Sequence, residues 1–389
     1  MRNVHELQSI LSEDGQLGPF PMHRLKRVEK PTSIVTDSIG RVDMREAAFA
    51  RAERGDYGAA VKKASSVFLP LKYPVSAALY DVLEHFSSAR GEEIAAAKAP
   101  VSGDPQVLSR HIKRLGYFLK ADIVGICRLP KSAVYSHDNK GNPINIDYKN
   151  AIVLVMGKEY QTMDASDGFD WIGDAISFQT YMRLAFATEV LASYIRKLGY
   201  PASPQSTAGG REGGGYQVLI PPLLLWAGIG EVSRAGIILN PFLGMGFKAA
   251  AVLTDMPLAP DSPIDFGLQD YCRECKLCAR MCPSRSISTG DKVMYNGYET
   301  WKLDERSCAG FSLTNTHGTI CNMCIKVCPW TRPEGLWKGM FRRAVGYSAP
   351  TRKLALKAGT MLSRSKPNKE KKWWFDVRYS DGVIKKADE

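Results

Sequence analysis

The chain has 389 residues, which is too long for one small hydrophobic core, because domains usually contain about 100–200 residues. Hydrophobic residues make up 44% and charged residues 24%, a composition that excludes a disordered chain. The longest apolar run, residues 218–230, is interrupted by Pro221 and Pro222 and is too short to span a membrane, which takes about 20 residues. The first residues contain no apolar signal core and no twin arginine, so we expect a soluble, cytoplasmic protein without a membrane span.

The positive charge is concentrated at the end of the chain. Residues 336–389 contain 14 basic and 5 acidic side chains and so carry nine of the twelve net positive charges. Such a basic tail is typical of segments that bind nucleic acid, an acidic lipid surface or an acidic protein, and equally of a solvated, partly irregular segment. The rest of the chain is close to neutral, which argues against a general nucleic-acid-binding protein.

The predicted elements alternate between helices and strands. Residues 1–60 are rich in turns and become helical around 43–51, and a second helical stretch lies within 74–98. The runs 121–126 and 151–156 are short, apolar and β-branched, as buried strands are. The helical period over 177–198 ends at Gly199, and a glycine-rich loop (208–215), another apolar run (218–226) and a short strand (251–253) follow. This order predicts an α/β (α+β) core domain.

Nine cysteines in a chain without an export signal are not expected to form disulfides. Cys127 lies in an apolar strand and is predicted to be a buried thiol. The other eight follow two related patterns, each ending in Cys-Pro: C-x2-C-x2-C-x3-C-P from Cys272, and Cys308 followed by C-x2-C-x3-C-P from Cys321.

This spacing predicts two [4Fe–4S] clusters in a bacterial ferredoxin-like module. In such modules the cysteine before the proline serves the other cluster. The first cysteine group is therefore Cys272, Cys275, Cys278 and Cys328. The second cysteine group is Cys282, Cys308, Cys321 and Cys324. A structural zinc site is the alternative, but the triple spacing with x3-Cys-Pro is not typical of zinc.

Residues between the core and the cysteines resemble a known family. The segment 227–241 (AGIGEVSRAGIILNP) is followed by TDMPL at 254–258, by PIDFG at 263–267 and by the first cysteine pattern. Further similar segments are RLKR at 24–27, RGDYG at 54–58, SYIRKLGY at 193–200 and WFD at 374–376. The whole order is similar to that of the cobalamin-dependent reductive dehalogenases, relatives of epoxyqueuosine reductase, and the resemblance covers most of the chain.

The resemblance implies a nitroreductase-like core domain that binds a base-off corrinoid. It divides the chain into an N-terminal region (1–104), the corrinoid-binding domain (105–265), the cluster domain (266–335) and the basic tail (336–389). None of the six histidines lies two positions after an aspartate, so the D-x-H-x-x-G motif that supplies a cobalt ligand elsewhere is absent, in agreement with a base-off cofactor. The residues expected to contact the corrinoid are Gly228, Gly230, Arg234, Gly236, Asn240 and Gly244.

The implied reaction removes halide from a halogenated organic compound, with the clusters as electron relay. Carried over by position, the proton donor is Tyr181, at the opening of the helix that contains SYIRKLGY, and the cation that stabilises the tyrosinate is Lys248. A tyrosine with an ordinary pKa of about 10 is a poor acid at neutral pH, and a nearby lysine favours the phenolate. Without the resemblance, Tyr181 reads as a core residue and Lys248 as a surface lysine.

Electrons are expected from a separate ferredoxin, flavodoxin or reductase, because no flavin module follows the clusters. The substrate class suggested by the analogy is a halophenol or another haloaromatic. Two alternatives are an epoxyqueuosine reductase-like enzyme of tRNA modification and a non-catalytic corrinoid-binding or electron-transfer protein. The first is expected to carry a D-Y-H motif, whereas residues 168–172 here read GFDWI.

Overall fold

A computed structural model describes residues 16–66, 73–88, 93–168, 170–207, 216–315, 320–362, 377–381 and 383–386. The predicted glycine-rich loop (208–215) and the segment 374–376 lie outside these residues. The helices are α1 (Ala48–Arg54), α2 (Ala59–Ser66), α3 (Pro74–Ser88), α4 (Pro105–Phe118), α5 (Tyr160–Ala165), α6 (Ile172–Lys197), α7 (Ile220–Trp226), α8 (Leu268–Cys275), α9 (Leu277–Arg280), α10 (Glu305–Thr314), α11 (Met323–Val327), α12 (Leu336–Tyr347) and α13 (Ala349–Leu362). The strands are β1 (Ile123–Arg128), β2 (Asn150–Gly157), β3 (Ala202–Gln205), β4 (Glu231–Val232), β5 (Ile238–Leu239), β6 (Phe247–Thr254), β7 (Val293–Tyr295), β8 (Tyr298–Thr300), β9 (Val377–Ser380) and β10 (Val383–Lys386).

A four-stranded antiparallel sheet, in the order β1-β2-β6-β3, forms the centre of the core domain. Ile152 of β2 pairs with Ile126 on one side and with Val252 on the other, so β2 is a central strand. The sheet is covered on both faces, which explains why its central strands are continuously apolar rather than alternating.

The two faces of the sheet pack against different helices. Val124, Leu154 and Val252 face the cluster of buried residues that includes α4 and α6. Their neighbours, such as Val153 and Ala251, face the other cluster, which includes α7. Successive side chains of a strand point to opposite faces, so this division follows from the register of the sheet.

Several predicted elements have different bounds in the structure. The apolar run 218–226 contains the helix α7, in whose first turn Pro221 and Pro222 lie, where their missing N–H groups cost nothing. The second helical stretch ends at Ser88 instead of extending to residue 98. Helix α6 begins at Ile172, so Tyr181 lies in its interior and not at its opening, while Gly199 follows its end with φ +84° as predicted.

The cluster domain consists of short elements. Helices α8, α9 and α11 have 8, 4 and 5 residues, and the small hairpin β7–β8 lies between the two halves of the cysteine pattern. The segment predicted as a basic tail contains α12 and α13, which form a helical hairpin that packs against α8. In the described part of the chain, no helix is long and apolar enough to cross a membrane.

Candidate active site

Tyr181 and Lys248 lie together at one end of a cavity of about 340 Å³. The ammonium of Lys248 is 4.5 Å from the centre of the Tyr181 ring and lies over its face. The other walls are mainly apolar or aromatic, among them Val218, Leu224 and Phe247. A concave, mostly apolar site with a few convergent polar groups is typical of a ligand-binding pocket, and the volume lies in the usual range of about 300–1,000 Å³.

The register of the sheet explains why this pair meets. Lys248 is on β6 in alternation with Ala250 and Val252, which face the side of the sheet covered by α6. Tyr181 is on α6, where it packs beside Phe178. The strand therefore directs its lysine toward the helix that carries the tyrosine.

Three tyrosines line this cavity, but they differ in their surroundings. Burial raises the pKa of Tyr135, and it raises that of Tyr216 strongly, which makes both phenols poorer proton donors. Tyr216 is further engaged by Thr207, whose hydroxyl lies 2.9 Å from its own. Among the described residues, Tyr181 is the tyrosine of this cavity that has a lysine over its ring.

A second cavity, of about 370 Å³, adjoins the first. We call the two cavities together the cleft, because they share five lining residues: Tyr135, Leu219, Pro221, Gly236 and Ile238. Residues of the cluster domain, including Tyr298 and Glu305, line the second cavity. The cleft thus extends from the Tyr181–Lys248 pair to the cluster domain. No histidine is among the described residues that line it.

Of the six residues predicted to contact a corrinoid, Gly236 lines the cleft and the other five are not among its described lining residues. Gly228 packs against the carbonyl of Ser262, and Gly230 packs against the carbonyl of Leu239. These two glycines therefore occupy close backbone contacts of the core domain.

Arg234 has a different environment from the one predicted. It is 1% exposed, and its guanidinium donates to the backbone carbonyls of Cys272, Arg273, Ser288 and Gly290. These carbonyls all belong to the cluster domain. Arg234 therefore connects the β4–β5 turn of the core domain to the segment that carries the first cysteine group.

Asn240 and Gly244 shape a turn. The Asn240 side chain donates to the carbonyl of Ile229 and accepts from the backbone N–H groups of Phe242 and Leu243. Gly244 has φ +62°, and a Cβ there would lie 2.4 Å from the Cα of Thr331, so only glycine fits. Both residues have structural contacts that explain their identity.

The surroundings of Cys328 and Cys324 agree with the predicted groups, whose assignment as cluster ligands stays a prediction. Burial raises the pKa of Cys328, and the neighbouring thiolates of the rest of the first cysteine group raise it further. Burial likewise raises the pKa of Cys324, with further contributions from Cys321, from Cys278 of the first group, and from Cys308 and Cys282. Buried thiols that each disfavour the ionisation of the others need a cation to remain thiolates, which is what an iron–sulfur cluster supplies.

One ligand candidate has local hydrogen bonds of its own. Burial opposes the ionisation of Cys282, but contacts of 3.3 Å from its Sγ to the hydroxyls of Ser284 and Ser286 outweigh it and lower the pKa. Within the described chain, no three His, Cys, Asp or Glu side chains gather closely enough to bind a single metal ion. The case for clusters therefore depends on the spacing, on the grouping of the thiols and on the family match below.

Lys158 is a site residue that the sequence did not reveal. It follows β2, is 7% exposed, and its amine donates to the side chain of Asn322 over 3.1 Å. Burial lowers its pKa well below the usual value, and the charge of Lys248 lowers it further. The signal in the sequence was the position of this lysine directly after an apolar strand. Asn322, its partner, lies just before the last two cysteines of the chain.

The chain is similar to dehalogenases in sequence and in structure. Residues 271–331 match the family model described as a 4Fe–4S dicluster domain. The tetrachloroethene reductive dehalogenase of Desulfitobacterium hafniense is 33% identical over 197 residues, which are 48% of this chain and 34% of that protein. The solved catabolic reductive dehalogenase NpRdhA, in complex with 3-bromo-4-hydroxybenzoic acid, superposes with a TM-score of 0.89 at 37% identity, over 95% of this chain and 53% of that one.

The epoxyqueuosine reductase of Escherichia coli is a more distant relative, at 28% identity over 129 residues, 30% of each chain. The tRNA-modification alternative is therefore not favoured. The sequence and structural matches together support a member of the reductive dehalogenase family. It spans about half the length of the solved relative and about a third of the Desulfitobacterium hafniense enzyme. The predicted mixed α/β fold with a dicluster module is confirmed.

The dicluster match and the family support two 4Fe–4S clusters and a cobalamin cofactor. The residues present fit both groups. Eight free thiols would provide the ligands of two clusters in the predicted groups, and the cleft would provide an apolar space beside them that a tyrosine and a lysine also line. None of the nine cysteines forms a disulfide.

Proposed function

We propose that the protein is a corrinoid-dependent reductive dehalogenase, an oxidoreductase that replaces a halogen of an organic substrate with hydrogen. The observation that carries this proposal is the position of Tyr181 and Lys248 at one end of a cleft whose other end is lined by the cluster domain. The overall reaction consumes two electrons and one proton and releases the dehalogenated organic product and a halide ion. The site must therefore provide a path for electrons and a source of the proton.

The proton comes from the hydroxyl of Tyr181. When bound, cobalamin supplies the low-potential metal centre that cleaves carbon–halogen bonds. Tyr181 holds the proton at the wall of the cleft, and the ammonium of Lys248 stabilises the negative charge that remains on the phenolate oxygen after transfer. The apolar walls contributed by Val218, Leu224 and Phe247 exclude water, so Tyr181 is the nearby acid.

The electrons pass through the two cysteine groups. A [4Fe–4S] cluster accepts one electron at a time, so two deliveries are needed for each turnover. We assign the eight cysteines as the cluster ligands in the two groups defined above, and a separate ferredoxin, flavodoxin or reductase as donor. Thiolate ligands survive in reducing compartments, which supports a cytoplasmic location.

Gly236 is the residue that we retain as a corrinoid contact, because it lines both cavities of the cleft. We propose a haloaromatic substrate, such as a halophenol. The aromatic side chains of Tyr135 and Phe247 in the wall beside Tyr181 support this class, since aromatic rings pack well against one another. The bromohydroxybenzoate bound to NpRdhA belongs to the same class.

Anaerobic reconstitution tests the proposal. Iron, sulfide and cobalt are measured per chain after the protein is loaded with clusters and cobalamin, and halide release is then assayed with a chemical low-potential reductant. We expect about eight iron, about eight sulfide and one cobalt per chain, with halide released only when substrate, reductant and cobalamin are all present. Full cofactor content without halide release from any of a panel of halophenols, haloalkenes and haloalkanes would contradict the proposal and favour the non-catalytic alternative.

A further inference from the structure

The helical hairpin of α12 and α13 covers the first cysteine group. Arg352 of α13 pairs with Asp270 and Glu274 on α8, the helix that carries two ligands of that group. Phe341 of α12 packs edge-on against Trp330, two residues after the last ligand of the group, with ring centres 5.0 Å apart. The hairpin is therefore the outer layer over this part of the cluster domain.

The second cysteine group lies on the side of the cleft. Cys308 comes three residues after Glu305, which lines the second cavity. Asn322, beside another ligand of the group, accepts a hydrogen bond from Lys158, and the charge of Lys158 interacts with that of Lys248. Electrons that enter at the first group and leave from the second would thus travel from the hairpin toward the Tyr181–Lys248 pair.

The hairpin is strongly basic, and half of its basic side chains form no ion pair within the described part of the protein. Residues 336–362 contain six basic and no acidic side chains. Three of these, Lys338, Arg342 and Arg352, form ion pairs with acidic residues of the protein. The other three are exposed and have no ion pair within the part of the chain that the structure describes: Arg343, Lys353 and Lys357.

Exposed apolar side chains stand among these charges. Leu336 is 91% exposed and Met340 63%, and with Arg343 they recur at helical spacing on one side of α12. On α13, Leu354 is 69% exposed and Met361 85%, with Lys357 between them at the same spacing. Exposed Met and Leu mixed with cations are typical of a surface that binds a protein of opposite charge.

We infer that this face of α12 and α13 is the docking surface of a small acidic one-electron carrier protein of the flavodoxin or ferredoxin kind, which reduces the cluster of the first cysteine group. The inference rests on the proposed function in that the clusters receive their electrons from a separate protein. In each encounter the carrier loses one electron and the cluster gains one, and no bond is made or broken. An acidic membrane or a nucleic acid would match the charge, but neither supplies electrons to the group beneath the hairpin.

The test measures the rate at which a reduced, net-negative flavodoxin reduces the clusters of the full-length reconstituted protein by rapid mixing, at several salt concentrations. The variant is Arg343→Glu/Lys353→Glu/Lys357→Glu. Its matched control is Arg110→Glu/Arg114→Glu/Lys120→Glu, which reverses three exposed charges on and directly after α4, a helix that packs on the sheet and α6. Photoreduction with a small flavin, which needs no docking, checks that every variant holds intact clusters.

The wild-type second-order rate constant should fall as salt rises, because electrostatic steering is screened. At low salt the hairpin variant should be slower by about tenfold or more, while the control stays within about twofold of the wild type. A hairpin variant that is reduced as fast as the control would overturn the inference, as would binding of wild-type protein to phosphatidylglycerol vesicles that the variant loses while its reduction by flavodoxin is unchanged. Halide release with a chemical reductant is unaffected by a failure here, so the two proposals fail separately.

Discussion

The core domain and the cluster domain are stabilised in different ways. The sheet strands β2 and β6 are almost entirely buried, and both faces pack against long or apolar helices. The cluster domain consists of helices of 4 to 10 residues, which carry cysteines and pack around buried side chains such as Leu268, Trp301 and Trp330. Helices this short are not stable on their own in water.

The difference indicates which interactions stabilise the fold of each domain. We expect hydrophobic burial to be sufficient for the sheet, whereas the short helices that carry the cysteines are expected to need metal ligation as well, beside contacts from outside such as the four carbonyl contacts of Arg234. The cleft would then lie between a domain that keeps its shape without cofactor and one that depends on cofactor. Its catalytic pair belongs to the first domain, so Tyr181 and Lys248 should remain positioned when the clusters are absent.

Removal of the clusters is expected to have the largest effect. When iron is chelated under anaerobic conditions, amide protons of residues 268–331 should lose their protection against hydrogen exchange, because the helices that carry the cysteines lose their ligands. Amides of β1, β2 and β6 should stay protected. Hydrogen-exchange mass spectrometry measures both regions in one experiment, and a simultaneous loss of protection in the sheet would contradict the comparison.

Replacement of Tyr181 by phenylalanine tests the proton donor. The variant should lose about 10²–10⁴-fold in the rate of halide release, the usual contribution of general acid catalysis, while iron and cobalt content stay at wild-type values. Tyr135→Phe and Tyr216→Phe are matched controls, because both tyrosines line the same cavity with a pKa raised by burial. Equal losses in all three variants would show that the cavity needs hydroxyls in general rather than Tyr181 as acid.

Replacement of a buried side chain in the sheet by alanine tests whether hydrophobic packing stabilises the core domain. Leu154 is fully buried in β2, and Leu154→Ala should reduce the free energy of unfolding of the core domain by about 2–5 kcal/mol through lost packing and a cavity. Phe118→Ala, at a position 75% exposed, should change it by less than about 0.5 kcal/mol. Denaturant titration followed by circular dichroism measures both, and similar losses at the two positions would refute the buried role of Leu154.

A variant of Arg234 tests whether this residue serves the backbone contacts of the cluster domain or the predicted corrinoid contact. Arg234→Lys keeps the positive charge, but a lysine cannot donate to four carbonyls at once. The unpaired carbonyls should reduce the stability of the cluster domain by about 1–3 kcal/mol. The first cysteine group should therefore lose its cluster more quickly. Iron loss in the presence of a chelator should accelerate while cobalamin affinity stays the same. The reverse pattern would restore the role expected from the sequence.

The smallest expected effect concerns the buried carboxyl of Glu231, which accepts hydrogen bonds from Thr32 and from the backbone N–H of Phe266. Burial raises its pKa despite these bonds, so the folded protein binds the proton more tightly than the unfolded chain does. Stability contributed by this group is therefore present at low pH and is lost as the pH rises through the folded pKa. Relative to Glu231→Gln, the wild type should lose stability from about pH 4 upward in denaturant titrations over a pH series.

Much of the fold was predictable because its signals are local. The apolar runs at 121–126 and 151–156 overlap β1 and β2, and the helical period of 177–198 covers all but the first five residues of α6. The first part of α6 was missed, since residues 172–176 face buried surroundings on more than one side and show no clean period. The run 218–226 carries strand-like composition, and only the two prolines of its first turn indicate a helix.

The site was predictable where spacing carries the chemistry. The eight cysteines are defined by their spacing in the sequence. Tyr181 and Lys248 were predicted from the family resemblance; they are 67 positions apart in the chain, and the register of the sheet brings them together. The corrinoid contacts predicted in the segment 227–241 stay a prediction, and the backbone hydrogen bonds of Arg234 and Asn240 are a feature that the sequence did not indicate. Lys158 was missed, since its partner Asn322 is distant in the chain and the contact exists only after the domains pack.

A crystal structure of the anaerobically reconstituted protein tests the central claim most directly. The account predicts a corrinoid in the cleft, with the hydroxyl of Tyr181 and the ammonium of Lys248 on the side of the ring opposite the cluster domain, and two cubes held by the two cysteine groups. A corrinoid bound elsewhere on the protein, or a Tyr181 hydroxyl directed away from it, would contradict the account.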